Sequence, residues 1–587
     1  MTSPRALAAI SVVLLVFLAA LAQPAMASSR LVQGGSDGMS VLTAAPTVSS
    51  FSPAAAAMNA TVTISGTGFV SPVTVDFGSV PSTSVTVSST TSIKATVPLT
   101  AASGPITVAA AGGSAKSSAS FTVNPAASFV YGIEPPAGVA SLQISGFAPF
   151  ELVDVYFGTT DLELEATGAT GAATFDLTVP ASAPPGTNFV SVAGRRSGLA
   201  AQTSIDVQTN WPQYMDGPAH QSTNTYENVL SASTAGDLDL AWSSAAAKQS
   251  GHTVYSSPTV DGGTVYIEDD GAALYALNEA SGALEWSRTG GTGELLDEAP
   301  AIAGGYLYVT GDGGLFSALR ATSGALVWHT QLDAATVGSP TIRDGIAYVA
   351  TDKGTVYAVN ALTGAIAWQS SGAAEAGSPV VADGLVFVAE DAGVEAYSAA
   401  TGAQAWSQSL ANMAFQDLSY GDGAIYGVAN TNLVALNALS GGEEWSASGA
   451  SSQCSPAEYG GVVYAGAGLA MDAFSANTGD LDWTVQVVGG CTGPPAIANG
   501  VVYFSTTSTP SGGGAVYGVS TGGFTVWSAY TGALVGGPVV TDGQVTVADV
   551  AGDTDAFNLS ADISPDALRA PSISELEPDY NLRPGGQ

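Results

Sequence analysis

Two cysteines and three histidines carry the most obvious chemistry in this sequence. Cys454 and Cys491 are its cysteines, and neither lies in the C-x-x-C-H pattern that attaches haem covalently. The histidines are His220, His252 and His329, and their spacing does not match that of zinc ligands. No Ser-His-Asp arrangement can be recognised either. The residue types therefore predict no catalytic site.

Acidic residues recur in short turns that contain glycine, which raises the question of a calcium site. Four such turns are Glu268–Gly271, Gly311–Gly313, Thr351–Gly354 and Glu390–Gly393. Ca²⁺ needs about six to eight oxygen ligands around one point, whereas turns that recur once per repeat lie apart. Asp and Gly are also the residues that tight hairpins require. We therefore interpret these acids as turn residues and predict no metal site.

Length and charge limit the domain organisation and the partners that the chain can have. With 587 residues the chain exceeds what one hydrophobic core usually organises, so two or more domains are expected. It carries 49 Asp and Glu against 13 Lys and Arg, for a formal net charge of −36. Because binding to nucleic acid needs clustered Lys and Arg, this balance argues against a nucleic-acid partner.

The N-terminus has the parts of a secretory signal peptide. Arg5 gives a positive start, Ala6–Ala22 is apolar, and Ala25–Ala27 is a small-x-small cleavage site. We predict that residues 1–27 are removed on export and that the protein is secreted or lies at the cell surface. A retained membrane anchor is the alternative, and the short apolar run that ends in a cleavage motif argues against it. No transmembrane segment is predicted in the mature chain.

One stretch, Ser339–Trp368, contains the pattern of a small antiparallel sheet. Val, Ile and Tyr alternate in its strands, and Asp344-Gly345 supplies the positive φ angles that a tight hairpin needs. The predicted strands are Ser339–Ile342, Ile346–Ala350, Thr355–Asn360 and Ala365–Trp368. One such sheet cannot bury both of its faces, so it must stack on copies of itself.

The copies are visible as a recurring tryptophan with a glycine four residues before it. Successive tryptophans are 38 to 44 residues apart, the length of a four-stranded blade. They are Trp286, Trp328, Trp368, Trp406, Trp445, Trp483 and Trp527, and the glycines are Gly282, Gly324, Gly364, Gly402, Gly441, Gly479 and Gly523.

Inner strands can be counted from their first residues, which are usually Ser-Pro or a close variant. Seven such starts contain Pro258, Pro300, Pro340, Pro379, Pro456, Pro495 and Pro538, and an aberrant eighth lies near Leu418. The last copy has no tryptophan, and Asp239–Trp242 can supply its missing strand. We predict eight blades over residues 210–561, closed by this N-terminal strand, with Trp242 and the seven other tryptophans packed between neighbouring blades. Residues 562–587 are Pro-rich and read as a disordered tail.

The stretch from Val356 through Thr363-Gly364 to Trp368 reproduces the motif A-x-D/N-x-x-T-G-x-x-x-W. It resembles the docking motif of PQQ-like, quinoprotein alcohol dehydrogenase-like propellers, and the lead-in Trp211–Asn224 resembles the start of such propellers. The resemblance implies either pyrroloquinoline quinone (PQQ) with Ca²⁺ in a dehydrogenase, or a non-catalytic scaffold like that of outer-membrane assembly lipoproteins. The dehydrogenases carry a vicinal Cys-Cys pair, which this sequence lacks. We therefore expect no cofactor.

Residues 45–125 contain short alternating runs separated by Gly and Pro about every ten residues, the pattern of a β-sandwich. Gly66–Phe69 and Ser103–Pro105 fall where the IPT/TIG immunoglobulin-like family has them, and the resemblance implies a spacer or binding module. Residues 126–209 repeat the pattern less clearly, and we interpret them as a second Ig-like sandwich, with an irregular linker as the alternative. Residues 28–44 are predicted to be a flexible lead-in. The predicted fold class is all-β.

Cys454 lies two residues before Pro456, and Cys491 lies four before Pro495. Both are thus predicted on the same face of adjacent blades, where an oxidising compartment favours a disulfide. Two free thiols are the alternative. Loops on that face surround the central channel, so their polar residues are ligand candidates, with solvated loop residues as the alternative. The candidates are His252, Asp297, Glu298, Glu375 and Gln416. His329 is predicted in a loop of the same kind.

These patterns favour a non-catalytic, monomeric binding or scaffold protein over an enzyme. The propeller would be the interaction platform, with protein or glycan as the ligand. The alternative is a PQQ- and Ca²⁺-dependent quinoprotein dehydrogenase, because the repeat motif belongs to a family that includes such enzymes.

Overall fold

A computed structural model describes residues 44–559, apart from 57–59, 79, 99–100, 102, 251, 272, 290–297, 312, 373–376, 391–392, 411–416, 452, 508–512, 535. The predicted signal peptide, most of the lead-in and the C-terminal tail lie outside these residues. The described chain is all-β, as predicted, and its helical segments are the 3₁₀ turns Tyr214–Asp216, Ala235–Asp237 and Ala247–Ser250. None of its helices is long and apolar enough to span a membrane.

The first domain is a sandwich of two sheets. One sheet contains Thr47–Ser52, Thr61–Thr67, Ser92–Thr96 and Val85–Ser89, in spatial order. The other contains Ala55–Ala56, Gly113–Val123, Gly104–Ala110, Thr74–Phe77 and Val80–Pro81. Alternate side chains face the space between the sheets, where Phe77 and Phe121 are fully buried with ring centroids 5.1 Å apart. This alternation is what buries one face of each strand.

The second domain is also a sandwich of two sheets. Its smaller sheet contains Ala126–Phe129, Val139–Ser145 and Ala173–Thr178. Its larger sheet contains Ile133–Glu134, Ala200–Val207, Gly186–Gly194, Leu152–Phe157 and Thr160–Ala166. The buried Asp154 carboxylate accepts hydrogen bonds from Nε and Nη2 of Arg195, which satisfies its charge inside the sheet.

Eight antiparallel sheets follow in the described residues, and we number them as repeats 1 to 8. Repeat 1 consists of Thr259–Asp261, Thr264–Asp269, Ala273–Asn278 and Leu284–Thr289, and repeat 2 of Ala301–Ala303, Tyr306–Val309, Leu315–Arg320 and Leu326–Gln331. Repeat 3 consists of Thr336–Arg343, Ile346–Thr351, Thr355–Asn360 and Ile366–Ser371, and repeat 4 of Val380–Ala382, Leu385–Glu390, Gly393–Ser398 and Gln404–Ser409. The four strands run from the inside of the molecule outwards.

Repeats 5 to 8 keep the same plan. Repeat 5 consists of Ser419–Gly421, Ala424–Ala429, Asn432–Asn437 and Glu443–Ser448, and repeat 6 of Ala457–Tyr459, Val462–Gly466, Ala470–Ser475 and Leu481–Gln486. Repeat 7 consists of Cys491–Ala498, Val501–Thr506, Gly514–Ser520 and Thr525–Thr531, with Thr223–Asn224 added in parallel at its inner edge. Repeat 8 consists of Val539–Thr541, Gln544–Ala548, Thr554–Leu559 and, as its outer strand, Leu238–Ser244.

The repeats form a closed ring. Inner strands of consecutive repeats contact one another, and the inner strand of repeat 8 contacts that of repeat 1. Leu238–Ser244 pairs antiparallel with Thr554–Leu559, with Leu238 opposite Leu559. The N-terminal part of the array thus completes the last sheet and covers an edge that would otherwise be unpaired. Hydrophobic clusters fill the spaces between adjacent sheets.

Each outer-strand tryptophan is hydrogen-bonded to the following repeat. In all eight cases the indole Nε1 donates to a backbone carbonyl at 2.7 to 3.0 Å. The pairs are Trp242 with Glu279, Trp286 with Ala321, Trp328 with Ala361, Trp368 with Ala399, Trp406 with Ala438, Trp445 with Ala476, Trp483 with Thr521 and Trp527 with Leu238.

The recurring glycine has a steric reason. At Gly402, φ is +71°, and a Cβ would lie 2.5 Å from Cε3 of Trp368 in the preceding repeat. Any side chain there would strain the backbone and displace the indole.

Candidate functional site

The chain enters the ring through a segment that crosses its central opening. This segment, Trp211–Asn224, is called the strap. It contacts the inner strand of seven of the eight repeats at structurally equivalent residues. The pairs, for repeats 1, 2, 3, 4, 5, 7 and 8 in turn, are Trp211 with Val260, Pro212 with Ile302, Gln213 with Ile342, Pro218 with Val381, Ala219 with Tyr420, Ser222 with Ile497 and Asn224 with Val540.

The strap is tightly coiled between its contacts. Met215, Asp216, His220 and Ser222 have φ angles of 53°, 71°, 50° and 56°, in the left-handed region that non-glycine residues seldom adopt. Such conformations cost about 1–3 kcal/mol each and persist only where surrounding contacts enforce them. The amide of Ser222 donates to the Met215 carbonyl at 2.8 Å, which closes the coil.

The strap directs a tyrosine towards the inner strand of repeat 5. The Tyr214 hydroxyl donates to Asp417 Oδ2 at 2.8 Å, and the Ser378 amide donates to Asp417 Oδ1 at 3.1 Å. Burial, together with the Asp417 carboxylate, raises the pKa of the Tyr214 phenol well above its usual range. Tyr214 and Asp417 are half-buried rather than buried, so both retain some exposed surface.

A histidine lies beside this pair. His220 is 1% exposed, its ring is 5.6 Å from that of Tyr214, and its Nε2 is 3.1 Å from Thr341 Oγ1. Burial lowers the pKa of His220 to about 4, although the Asp417 carboxylate acts in the opposite direction. The imidazole is therefore neutral at pH 7 and too weak a base for proton transfer there. We call Tyr214, His220 and Asp417 the channel floor.

Serines in or just before the inner strands connect neighbouring repeats. Ser339 Oγ accepts from the amide of Ala299, and Ser378 Oγ accepts from the amide of Ser339, both at 3.0 Å. In repeat 5 this position is Asp417, which accepts from the Ser378 amide in the same way. These serines are thus engaged in inter-repeat hydrogen bonds.

The predicted disulfide is confirmed. Cys454 and Cys491 are bonded, with their Cα atoms 5.6 Å apart, and both are fully buried. Cys491 begins the inner strand of repeat 7, and Cys454 precedes that of repeat 6. Gly466 abuts the bond, since a Cβ there would lie 2.7 Å from each cysteine Cβ.

Two of the five predicted ligand candidates belong to the described residues. His252 is half exposed, and its Nδ1 lies 3.2 Å from Asp270 Oδ1, at a hairpin turn of repeat 1. Glu298 Oε1 accepts from the Gly338 amide at 3.2 Å, and its charge contributes to the raised pKa of Tyr214. Glu298 therefore lies near the channel floor. Asp297, Glu375 and Gln416 lie outside the described residues.

The sequence interpretation placed His329 in a loop between repeats, and this is wrong: His329 lies within the outer strand Leu326–Gln331. It also missed the channel floor. The missed signal was the departure of repeat 5 from the Ser-Pro pattern, because Asp417 stands where four other repeats have serine. The acidic turns behave as hairpin residues, for example at Asp269, whose Oδ1 accepts from the amides of Gly271 and Ala273.

The sequence matches the PQQ_2 family, described as outer membrane protein assembly factor BamB, at residues 219–298, 289–378 and 352–562. These segments cover more than half of the 587 residues. The chain belongs to this family. Residues 46–123 match the IPT/TIG domain family. The resemblance to PQQ-like propellers and to IPT/TIG domains is thus confirmed. No curated protein matches the sequence significantly.

Solved structures of quinoprotein dehydrogenases have the same fold. A europium-containing methanol dehydrogenase matches with a TM-score of 0.51 and 13% identity, over 60% of this chain and 98% of its own. A quinohemoprotein alcohol dehydrogenase from Comamonas testosteroni matches at 0.50 with 15% identity, over 62% and 82%. Another, ADHIIG from Pseudomonas putida HK5, matches at 0.50 with 13% identity, over 60% and 80%. At these identities the likeness establishes a propeller-like fold and nothing about activity.

The described residues offer no recognisable site for PQQ with Ca²⁺. They contain no group of three His, Cys, Asp or Glu side chains placed to hold a metal ion. The disulfide joins cysteines 37 positions apart and is buried, so it offers no exposed vicinal ring to cover a cofactor.

Proposed function

We propose that this protein is a secreted or cell-surface, non-catalytic binding or scaffold protein. Its eight repeats would be the blades of one propeller that serves as an interaction platform for a protein or a glycan. The two sandwiches would be Ig-like spacers that hold the propeller away from its point of attachment. Membership of a family described as an outer membrane assembly factor supports the scaffold role.

The observation that carries the proposal is that one face of the ring is already occupied. The strap contacts seven inner strands close to their C-terminal ends. The second sandwich joins the ring at the same end, where Thr209 and Asn210 bond to the first turns of repeats 8 and 1. Ligand would therefore meet the opposite face, which carries Glu298 and the disulfide.

The chemistry of the channel favours a polar ligand. Tyr214 offers an aromatic ring, and Asp417 offers two carboxylate oxygens that can each accept a further hydrogen bond. Glycan hydroxyls or peptide amides could supply the donors. The disulfide is consistent with export, because such bonds persist in oxidising compartments. The proposed state is a monomer.

The test is a binding screen of the purified protein against a glycan array and a set of purified envelope proteins. A ligand of the channel face should lose at least tenfold in affinity with Asp417→Asn, because the amide has one acceptor oxygen fewer. Asp422→Asn, an exposed turn residue of repeat 5, is the control and should bind normally. A ligand that binds both variants equally well would contradict a role for the channel.

The competing dehydrogenase function is decided in a second assay. The protein is incubated with PQQ and Ca²⁺, passed through gel filtration, and assayed for dye reduction by alcohols and sugars. Cofactor absorbance that stays with the protein, together with dye reduction, would overturn the non-catalytic proposal.

A further inference from the structure

Several segments converge beneath the seam between repeats 8 and 1. They are the exit from the second sandwich, Gln208–Asn210, the chain just after the strap, Glu227–Leu230, the first turn of repeat 8, Thr541–Gly543, and Glu279 of repeat 1. The ring closes at this seam. These segments therefore meet where the last repeat contacts the first.

The second sandwich is fastened here by directional bonds. The Thr209 amide donates to Asp542 Oδ1 at 2.5 Å, and the Asp542 amide donates to Thr209 Oγ1 at 2.7 Å. Asn228 reaches back to the sandwich, since its Nδ2 donates to the carbonyls of Ala181 at 2.8 Å and Ala183 at 2.9 Å. Together these bonds fix the orientation of the sandwich on the ring.

Carboxylates are concentrated at this joint. Glu279 Oε1 accepts from Thr541 Oγ1 at 2.5 Å, and Glu227 Oε2 accepts from the Gly543 amide at 2.9 Å. Glu227 and Glu279 are each 5% exposed, and Asp542 is half-buried. Among the described residues, no Lys or Arg forms an ion pair with any of them. Negative charge here has no cationic partner.

We propose that this junction is a pH-operated latch, which holds the second sandwich in a fixed orientation on the propeller while Glu279 and Asp542 are protonated and releases it as they ionise. Repulsion among the carboxylates would separate the turn of repeat 8 from Thr209. Because an ionised Asp542 is the better acceptor for the Thr209 amide, release requires that the repulsion from Glu227, Glu279 and Asp206 exceed what this bond gains.

The titration of the two acids supports this behaviour. Burial, then the nearby Asp542 charge, raises the pKa of Glu279 to about 8. Burial raises the pKa of Asp542 to about 7, with Glu227 and Asp206 acting in the same direction and the Thr209 bonds opposing. Both values lie above those of the unfolded chain. The stabilisation is therefore fully present below about pH 4 and is lost as pH rises through 7 to 8.

The titratable groups around Glu279 and Asp542 do not neutralise the negative charge that these two acids gain on ionisation. Asp206 comes from the last strand of the sandwich, Glu227 from the chain after the strap, and Tyr503, which lies near Glu227, from repeat 7. All of these are acidic or neutral. The charge that develops as the pH rises is thus repulsive from every side.

Small-angle X-ray scattering of the full chain at pH 5 and pH 9 tests the latch. The wild type should be more extended at pH 9, with a midpoint between pH 7 and 8. The double variant Glu279→Gln, Asp542→Asn mimics the protonated forms and should keep its pH 5 dimensions at pH 9. Asp422→Asn is the matched control, because Asp422 has the same φ of 49° in the corresponding turn of repeat 5. It should behave as the wild type.

Equal dimensions of the wild type at pH 5 and pH 9 would overturn the latch. Extension of the double variant at pH 9 to the same degree as the wild type would do so too. Tryptophan emission is followed in parallel, because loss of the native spectrum at pH 9 would mean that the ring unfolds, which also contradicts a local release.

Discussion

The hydroxyl of Tyr214 donates a 2.8 Å hydrogen bond to Asp417, a residue 203 positions away in the sequence. The bond joins the strap to the segment just before the inner strand of repeat 5, and Asp417 in turn accepts from the amide of Ser378, just before the inner strand of repeat 4. One carboxylate therefore connects three parts of the chain.

Tyr214→Phe should destabilise the ring, because it removes this donor and leaves an Asp417 oxygen without its partner. We expect a loss of about 1–3 kcal/mol in the free energy of unfolding, measured by urea denaturation. Tyr420→Phe is the control, since the Tyr420 hydroxyl bonds to Asp383 at 2.6 Å on the exposed surface. Its cost should be below about 1 kcal/mol. Equal losses in the two variants would contradict a special role for Tyr214.

Gly402→Ala should lower the free energy of unfolding by more than the strain of a positive φ alone explains. Its new Cβ would lie 2.5 Å from the Trp368 indole, in addition to the strain at φ +71°. We expect a loss of about 3 kcal/mol or more, from about 1–2 kcal/mol of backbone strain plus steric displacement. Gly384→Ala separates the two effects, because Gly384 has φ +76° with nothing within 4 Å of the added Cβ. A loss at Gly384 as large as at Gly402 would show that the tryptophan contact is unimportant.

The double variant Cys454→Ser, Cys491→Ser should lower stability by about 3–4 kcal/mol, as expected for a bond that closes a loop of this length. The cysteines are separated by 37 positions, and their bond joins repeats 6 and 7. The measurement is guanidinium unfolding of variant and wild type. A thiol titration of the denatured, unreduced wild type should find no free thiol, and two titratable thiols would contradict the disulfide.

His220 should make the protein sensitive to acid. Its pKa falls to about 4 in the folded state from 6.5, so its contribution to stability is present above pH 6.5 and is lost as pH falls through 4. Between pH 7 and pH 4 the free energy of unfolding should fall less in His220→Gln than in the wild type. The difference between the two losses should be on the order of 3 kcal/mol. His252→Gln, at a half-exposed site, should follow the wild type. Melting temperatures across this pH range measure the effect, and parallel curves for all three proteins would contradict it.

Much of the ring could be predicted from its repeats. The Asp344-Gly345 turn was expected from residue type, and the two residues have φ of 51° and 76°. The N-terminal strand was expected at Asp239–Trp242 and extends over Leu238–Ser244. Local rules suffice here because each repeat meets the same neighbours.

The channel floor could not be predicted in this way. The conformation of the strap depends on left-handed residues that are not glycine, and contacts with distant strands impose it. Tyr214 and Asp417 meet because the ring closes, and no sequence spacing records that approach. The junction of Glu227, Glu279 and Asp542 could not be predicted from the sequence for the same reason.

The strap also determines how the molecule bears mechanical load. A pull on the sandwiches first meets the bonds of Thr209 with Asp542 and of Asn210 with Gly262. It then passes along Trp211–Asn224, whose contacts are distributed over seven inner strands. At its far end, Thr223–Asn224 pairs in parallel with Ile497–Ala498 at the inner edge of repeat 7. Tension is therefore shared among many hydrogen bonds before it reaches the closing strand of repeat 8. A ring built in this way resists being opened by a pull on the chain that enters it.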